Sequence, residues 1–168
     1  CDGKKTEGFG KKIEYQAMNA MMMIETGDME HPRMISVFPY PEMPEGYTHG
    51  ENFNFVDGVR VPFGPHDCFD QFGTPVYGKF NNTVFNCYFH AGLRIYDVHD
   101  PFVPKEIAYF LPPDSPEVLT DHETHDVMPG SPMAITEDLV VDDRGYIYIS
   151  TQQDGIYILK YTGEKPLD

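Results

Sequence analysis

The sequence predicts an all-β protein, a β-propeller of about three partial four-stranded blades belonging to a larger, seven-bladed ring. Fifteen glycines, fifteen prolines and 23 Phe plus Tyr in 168 residues favour turns and strands over helices. No window carries a sustained 3.6-residue apolar period, the signature of an amphipathic helix. The stretch at 83–110, TVFNCYFHAGLRIYDVHDPFVPKEIAYF, reads as three short strands with tight turns and recurs in outline on both sides of itself. Repetition of a strand unit at roughly 40 residues or more is the sequence sign of a propeller.

The recurrence is specific in register. Shifted 72 residues upstream, Leu93-Arg94-Ile95-Tyr96-Asp97 falls on Met21-Met22-Met23-Ile24-Glu25, while Pro104, Lys105 and Ile107 fall on Pro32, Arg33 and Ile35. Shifted 63 residues downstream, Gly92-Leu93-Arg94-Ile95-Tyr96 falls on Gly155-Ile156-Tyr157-Ile158-Leu159. Met23, Ile95 and Ile158 are therefore expected at equivalent points of successive sheets, facing the same way, since a one-residue slip would reverse them.

In chain order, residues 1–13 place four lysines among glycines and read as an exposed, mobile lead-in to one propeller-type domain over 1–168. A first blade, about 14–40, has strands at 14–18, 21–26 and 34–38. A long proline- and glycine-rich loop covers 39–65, and loops of that length are usually functional or inserted between units. The second blade, about 64–112, has strands at 76–80, 83–89, 93–98 and 105–110. A second loop spans 111–133, and the last blade, about 134–162, has strands at 135–141, 146–150 and 156–161. Both ends leave open edges, which folded proteins avoid. Upstream blades, a second chain or self-association are expected to close the ring, with a strand from elsewhere beside 155–161.

A formal net charge of −15 argues against nucleic acid and anionic membranes as partners. No apolar run has the length of a membrane span. Three cysteines make neither a disulfide framework nor a metal-type pair. Cys87, in an apolar strand, reads as a small buried hydrophobe. Cys1 admits three readings: a lipid-modified end of an exported protein, a thiol nucleophile, or simply where the chain begins.

The first strand of a propeller blade lies nearest the axis, so its side chains line the channel. Aligning the two blades that show one puts His66 and Asp67 level with Glu137 and Asp138. One imidazole among carboxylates suits a divalent ion with N and O ligands, Zn, Mn, Fe or Cu. His66 and Glu137 are the expected ligands, with Asp67 and Asp138 as catalytic acids or bases. His122-x-x-His125, flanked by Asp121, Glu123 and Asp126, is a second metal candidate from the loop, and equally reads as a solvated acidic segment. His31, His49 and His99 read as bland surface histidines, and His90 as a turn residue facing a blade. No Gly-x-Ser-x-Gly elbow and no phosphate loop is present.

Ala91-Gly92-Leu93-Arg94-Ile95-Tyr96-Asp97-Val98, followed by Asp100-Pro101-Phe102 and Pro104, resembles the LVIVD-repeat β-propeller family. Phe63-Gly64-Pro65-His66-Asp67 and Val141-Asp142-Asp143-Arg144-Gly145 are similar to further segments of that family, with Asp67 where Asn is common. The likeness covers roughly 17–162 and is to the C-terminal half of such a protein. More distantly, the repeat is similar to selenium-binding proteins, propellers of which some oxidise methanethiol with histidine-bound copper. The resemblance implies a propeller and says almost nothing of function. The imidazole and carboxylates of the inner strands point to a metal-dependent enzyme acting on a small molecule by oxidation or hydrolysis at the channel mouth. A noncatalytic scaffold binding a protein or glycan partner is the alternative.

Overall fold

The computed structural model describes residues 4–8, 11–15, 20–49, 53, 55–56, 59–60, 64–69, 73–115 and 134–168, with 4–15 and 55–60 followed as backbone only. Among them no helix occurs, so none is long and apolar enough to cross a membrane. β1 (Lys4–Gly8) and β2 (Lys11–Tyr15) form a hairpin, and β3 (Met22–Glu25) pairs with β4 (Arg33–Val37). β5 (Phe55–Val56) and β6 (Val59–Arg60) make a two-residue pair. β7 (Asp67–Cys68), β8 (Thr83–Cys87), β9 (Leu93–Asp97) and β10 (Lys105–Phe110) form a four-stranded meander in that spatial order. β11 (Thr136–Val141), β12 (Tyr146–Thr151) and β13 (Gly155–Lys160) form a three-stranded one. The protein is all-β; among the described residues there are five sheets, all antiparallel, and none closes on itself.

Two expectations are corrected. Within the stretch read as a lead-in, residues 4–8 and 11–15 pair with each other. The loop at 39–65 holds β5 and β6, on either side of Asp57-Gly58, a hairpin dipeptide. The strand expected at 76–80 is reduced to a single bridge from Tyr77 to Asp142, because Pro75 and Gly78 interrupt it, and the strand beside β8 is β7 instead.

The repeat holds at the level of single residue pairs. Glu25 faces Arg33 as Asp97 faces Lys105, and the same β-bulge follows, with Ile35 and Ile107 as the extra residues. Downstream, the pairs from Thr83–Asp97 to Cys87–Leu93 map onto Tyr146–Lys160 to Ser150–Ile156. Equivalent glycines, Gly92 and Gly155, open β9 and β13 with φ of 73° and 82°. A Cβ at Gly92 would strike the Phe110 carbonyl oxygen on β10, whereas one at Gly155 meets nothing within 4 Å.

Alternation sends each sheet's side chains to two neighbours. Met21 and Met23 of the first sheet pack with Phe38, Val84, Tyr88 and Tyr96. On the other face of the meander, Phe85, Cys87, Leu93 and Ile95 pack with Leu139, Val141, Ile147 and Ile149, and Tyr157 and Leu159 close that layer. Met23 and Ile95 thus both face the following sheet, and Ile158, their equivalent on the last sheet, is 63% exposed. Two further devices join the meander to the last sheet. The long β7–β8 connection reaches across it, with Gly78 N–H donating to Val141 O and Asp143 N–H to Val76 O, both at 3.0 Å. The tail returns as well: Asp168 N–H donates to Thr83 Oγ1 at 3.0 Å, Leu167 joins the apolar layer, and Lys165 pairs with Asp97.

Arg94, on the face of β9 opposite Leu93 and Ile95, is fully buried. Its Nε–H donates to Ala91 O at 2.7 Å, its Nη1–H to Glu106 Oε1 at 3.1 Å, and the guanidinium lies between the rings of Phe53 and Tyr109. Burial raises the Glu106 carboxyl above its ordinary range, with Arg94 opposing. Arg94→Met should therefore cost about 3 kcal/mol by stranding Glu106. Arg94→Met with Glu106→Gln should cost less than the single change, a difference that urea unfolding of the four-member cycle measures.

Lys165, then His99, hold the Asp97 carboxyl well below its ordinary range. A folded value below the unfolded one means stability that is present above about pH 4 and lost as pH falls through the folded value. Between about pH 4 and 2 the melting temperature of the wild type should fall more steeply than that of Asp97→Asn; parallel curves would refute this.

Candidate functional site

The ends of β7 and β11 bring together residues 71 positions apart in sequence. His66, just before β7, is anchored by its backbone N–H, which donates to Cys87 O at 2.8 Å. Its Nδ1 lies 3.1 Å from Glu137 O, 3.3 Å from Glu137 Oε2 and 3.9 Å from Asp138 Oδ1, and its ring packs at a 50° tilt against that of Phe89, with centroids 4.6 Å apart. Neighbouring strand residues normally point to opposite faces. Here the β11–β12 register breaks between Thr136 and Leu139, and this bulge turns both Glu137 and Asp138 toward one imidazole. The pairings equate Cys68, opposite Asn86, with Leu139, opposite Ile149, so His66 and Asp67 are the repeat equivalents of Glu137 and Asp138.

The four residues have different tasks. Asp67 Oδ2 accepts the Leu139 N–H at 3.0 Å, tying the two inner strands together. Its carboxylate is thus a structural link between the two sheets. Glu137 Oε1 accepts from Gln152 Nε2 while its other oxygen faces His66. Asp138 is held by its backbone N–H, which donates to Ser150 Oγ at 3.1 Å, and its side chain is 75% exposed. The Cys87 thiol donates to Asp138 O at 3.7 Å, and burial pushes it up to about 12, with Asp67, Asp138 and Glu137 adding to the rise. It stays protonated and is no nucleophile.

A divalent ion fits the chemistry of this donor set. Among the described residues no three ligand-type groups surround a common centre. His122 and His125 lie outside the described residues.

Sequence reading passed over a second grouping. His49 Nε2 stands 2.9 Å from Asp114 Oδ1, beside a cavity of about 240 Å³ that Tyr47, buried His90, Leu111 and Pro113 also line. Residues 49 and 114 come from different loops, so no local spacing signals them. His31 and His99 pair with Asp28 at 2.9 Å and Asp97 at 2.7 Å on the surface.

Comparison with protein-family models, with curated proteins and with solved structures finds no match to this chain.

The inter-strand tie predicts a contrast between equivalent acids. Asp67→Ala leaves the Leu139 N–H unpaired and should cost about 1–3 kcal/mol. Asp138→Ala should stay within about 0.5 kcal/mol of wild type. Thermal denaturation of the two variants side by side checks it, and equal losses would contradict the assigned roles.

Proposed function

We propose that the chain is a section of a β-propeller of the LVIVD-repeat kind and that its inner rim is a divalent-metal site of an enzyme acting on a small molecule. The observation that carries this reading is the convergence of His66, Glu137 and Asp138 from two successive sheets at repeat-equivalent positions. Support for the propeller comes from the register, bulge and glycine turns that recur from sheet to sheet, and from apolar layers on both faces of the meander.

His66 and a Glu137 oxygen would hold the ion, which is Zn, Mn, Fe or Cu by donor type. A bound ion of this class supplies Lewis acidity, or electrons where it is redox-active, for oxidation or hydrolysis. The Phe89 ring fixes the imidazole plane, and Gln152 orients the Glu137 carboxylate. Asp138, the most exposed of the acids, can take or give a proton at Oδ1 facing substrate, since Asp67 is engaged with backbone.

Elemental analysis of the purified protein, with Mn²⁺ and Zn²⁺ titrations followed by calorimetry and melting temperature, tests the reading. Wild type should bind about one ion and melt higher with it. His66→Ala should lose the ion and the shift while melting within a few degrees of the metal-free wild type, because the apolar layers are untouched. A variant that keeps its metal, or a wild type that binds none, would reject it.

A noncatalytic scaffold for a protein partner is the second reading. Ile156 and Ile158, 69% and 63% exposed on the last sheet, favour it, because such a face is a docking surface.

A further inference from the structure

β13 repeats β9 pair for pair, yet the two strands have different surroundings. On β9 the edge away from β8 is paired with β10. On β13 the corresponding edge pairs with no described strand. The glycines report the same difference: the Phe110 carbonyl of β10 crowds Gly92, and the space at Gly155 is open. Beside that edge runs a groove of about 590 Å³ lined by Ile107, Tyr109, Phe110, Leu159 and Tyr161. The rings of Phe110 and Tyr157 meet at 5.6 Å where the two sheets face each other. Strand edges of this kind recruit another strand, main chain to main chain.

The repeat also specifies what such a strand would carry. In the first sheet Glu25 stands opposite Arg33 on the outer strand, and in the meander Asp97 stands opposite Lys105. The equivalent of Asp97 on β13 is Lys160, which reverses the charge required across the strand. Next to it, Glu106 and Tyr109 of β10 stand opposite Tyr96 and Arg94, whose equivalents are Leu159 and Tyr157. The buried arginine that Glu106 serves has no counterpart on the last sheet, so these two positions call for apolar side chains.

We propose that β13 accepts an extended segment of a separate polypeptide as a fourth antiparallel strand, with a carboxylate opposite Lys160 and apolar side chains opposite Leu159 and Tyr157. The inference rests on the repeat register and is independent of the metal reading. The occupant shields Ile156 and Ile158 in part, fills the groove, and extends the sheet to the four strands of its neighbour.

The probe is a synthetic peptide copying residues 103–112 with Lys105→Glu and Glu106→Leu, dye-labelled and titrated with the full chain. Binding should saturate below about 1 mM, and amide exchange should slow at 155–160 in the complex. A peptide that keeps Lys105, and so meets Lys160 with like charge, should bind a few-fold more weakly, and the gap should narrow in about 0.5 M salt. No saturation, equal affinity of the two peptides, or protection confined to other strands would overturn the proposal. Self-association that already protects 155–160 without peptide would overturn it too, by assigning the edge to a second copy.

Discussion

Burial of apolar side chains between successive sheets is the constraint on which the rest of this structure depends. Strands of four to six residues cannot make a core inside one small sheet. The meander of β7 to β10 solves this by having a neighbour on each face, Met21, Met23 and Phe38 on one and Leu139, Val141, Ile147 and Ile149 on the other. Each fully buried aliphatic or aromatic side chain contributes about 1.5–3 kcal/mol by leaving water, so two such layers dominate any single polar contact described above. The buried arginine is tolerated because Ala91 and Glu106 accept from its Nε and Nη1 and two rings pack against its guanidinium, although its Nη2 has no hydrogen-bond partner among the described residues.

The candidate site is a by-product of the same stacking. Because adjacent sheets repeat one backbone pattern, their first strands place equivalent residues side by side, and His66 meets Glu137 and Asp138. Equivalence of position has not meant equivalence of task. Asp67 has a following strand to hold and is drawn into backbone hydrogen bonding, whereas Asp138 faces no described strand and stays in solvent.

Much of this was legible in the sequence, and what was missed has physical reasons. The shifts of 72 and 63 residues were readable because period-two alternation and turn residues are local properties, and they placed β3, β8, β9, β12 and β13 closely. The pairing of inner positions at His66 and Glu137, 71 residues apart, came instead from aligning the first strands of the two blades. The tie from Asp67 to Leu139 was not readable, since it depends on a bulge whose only mark is the geometry of β11 against β12. Nor was the burial of Arg94: an alternating strand looks half solvated until a second sheet is known to cover its polar side. The hairpin of β1 and β2 was hidden by lysine and glycine content, which speaks for exposure and says little about backbone pairing.

The unequal lengths of two turns have a mechanical consequence. β7 and β8 are joined by a long connection that crosses to Val141 and Asp143, while β11 and β12 are joined by the short turn at Asp142 that receives it. With the tail laid across the same boundary, the seam between the meander and the last sheet is sewn at two points along its length. Under a pulling force that seam loads several hydrogen bonds in parallel, while the boundary toward β3 and β4 has fewer described bonds, from Ser36 to Pro101 and from Tyr88 to the Met21 backbone, to share the load. Stretched from its ends, the molecule should part first on the β3–β4 side, leaving the meander and the last sheet joined as one unit.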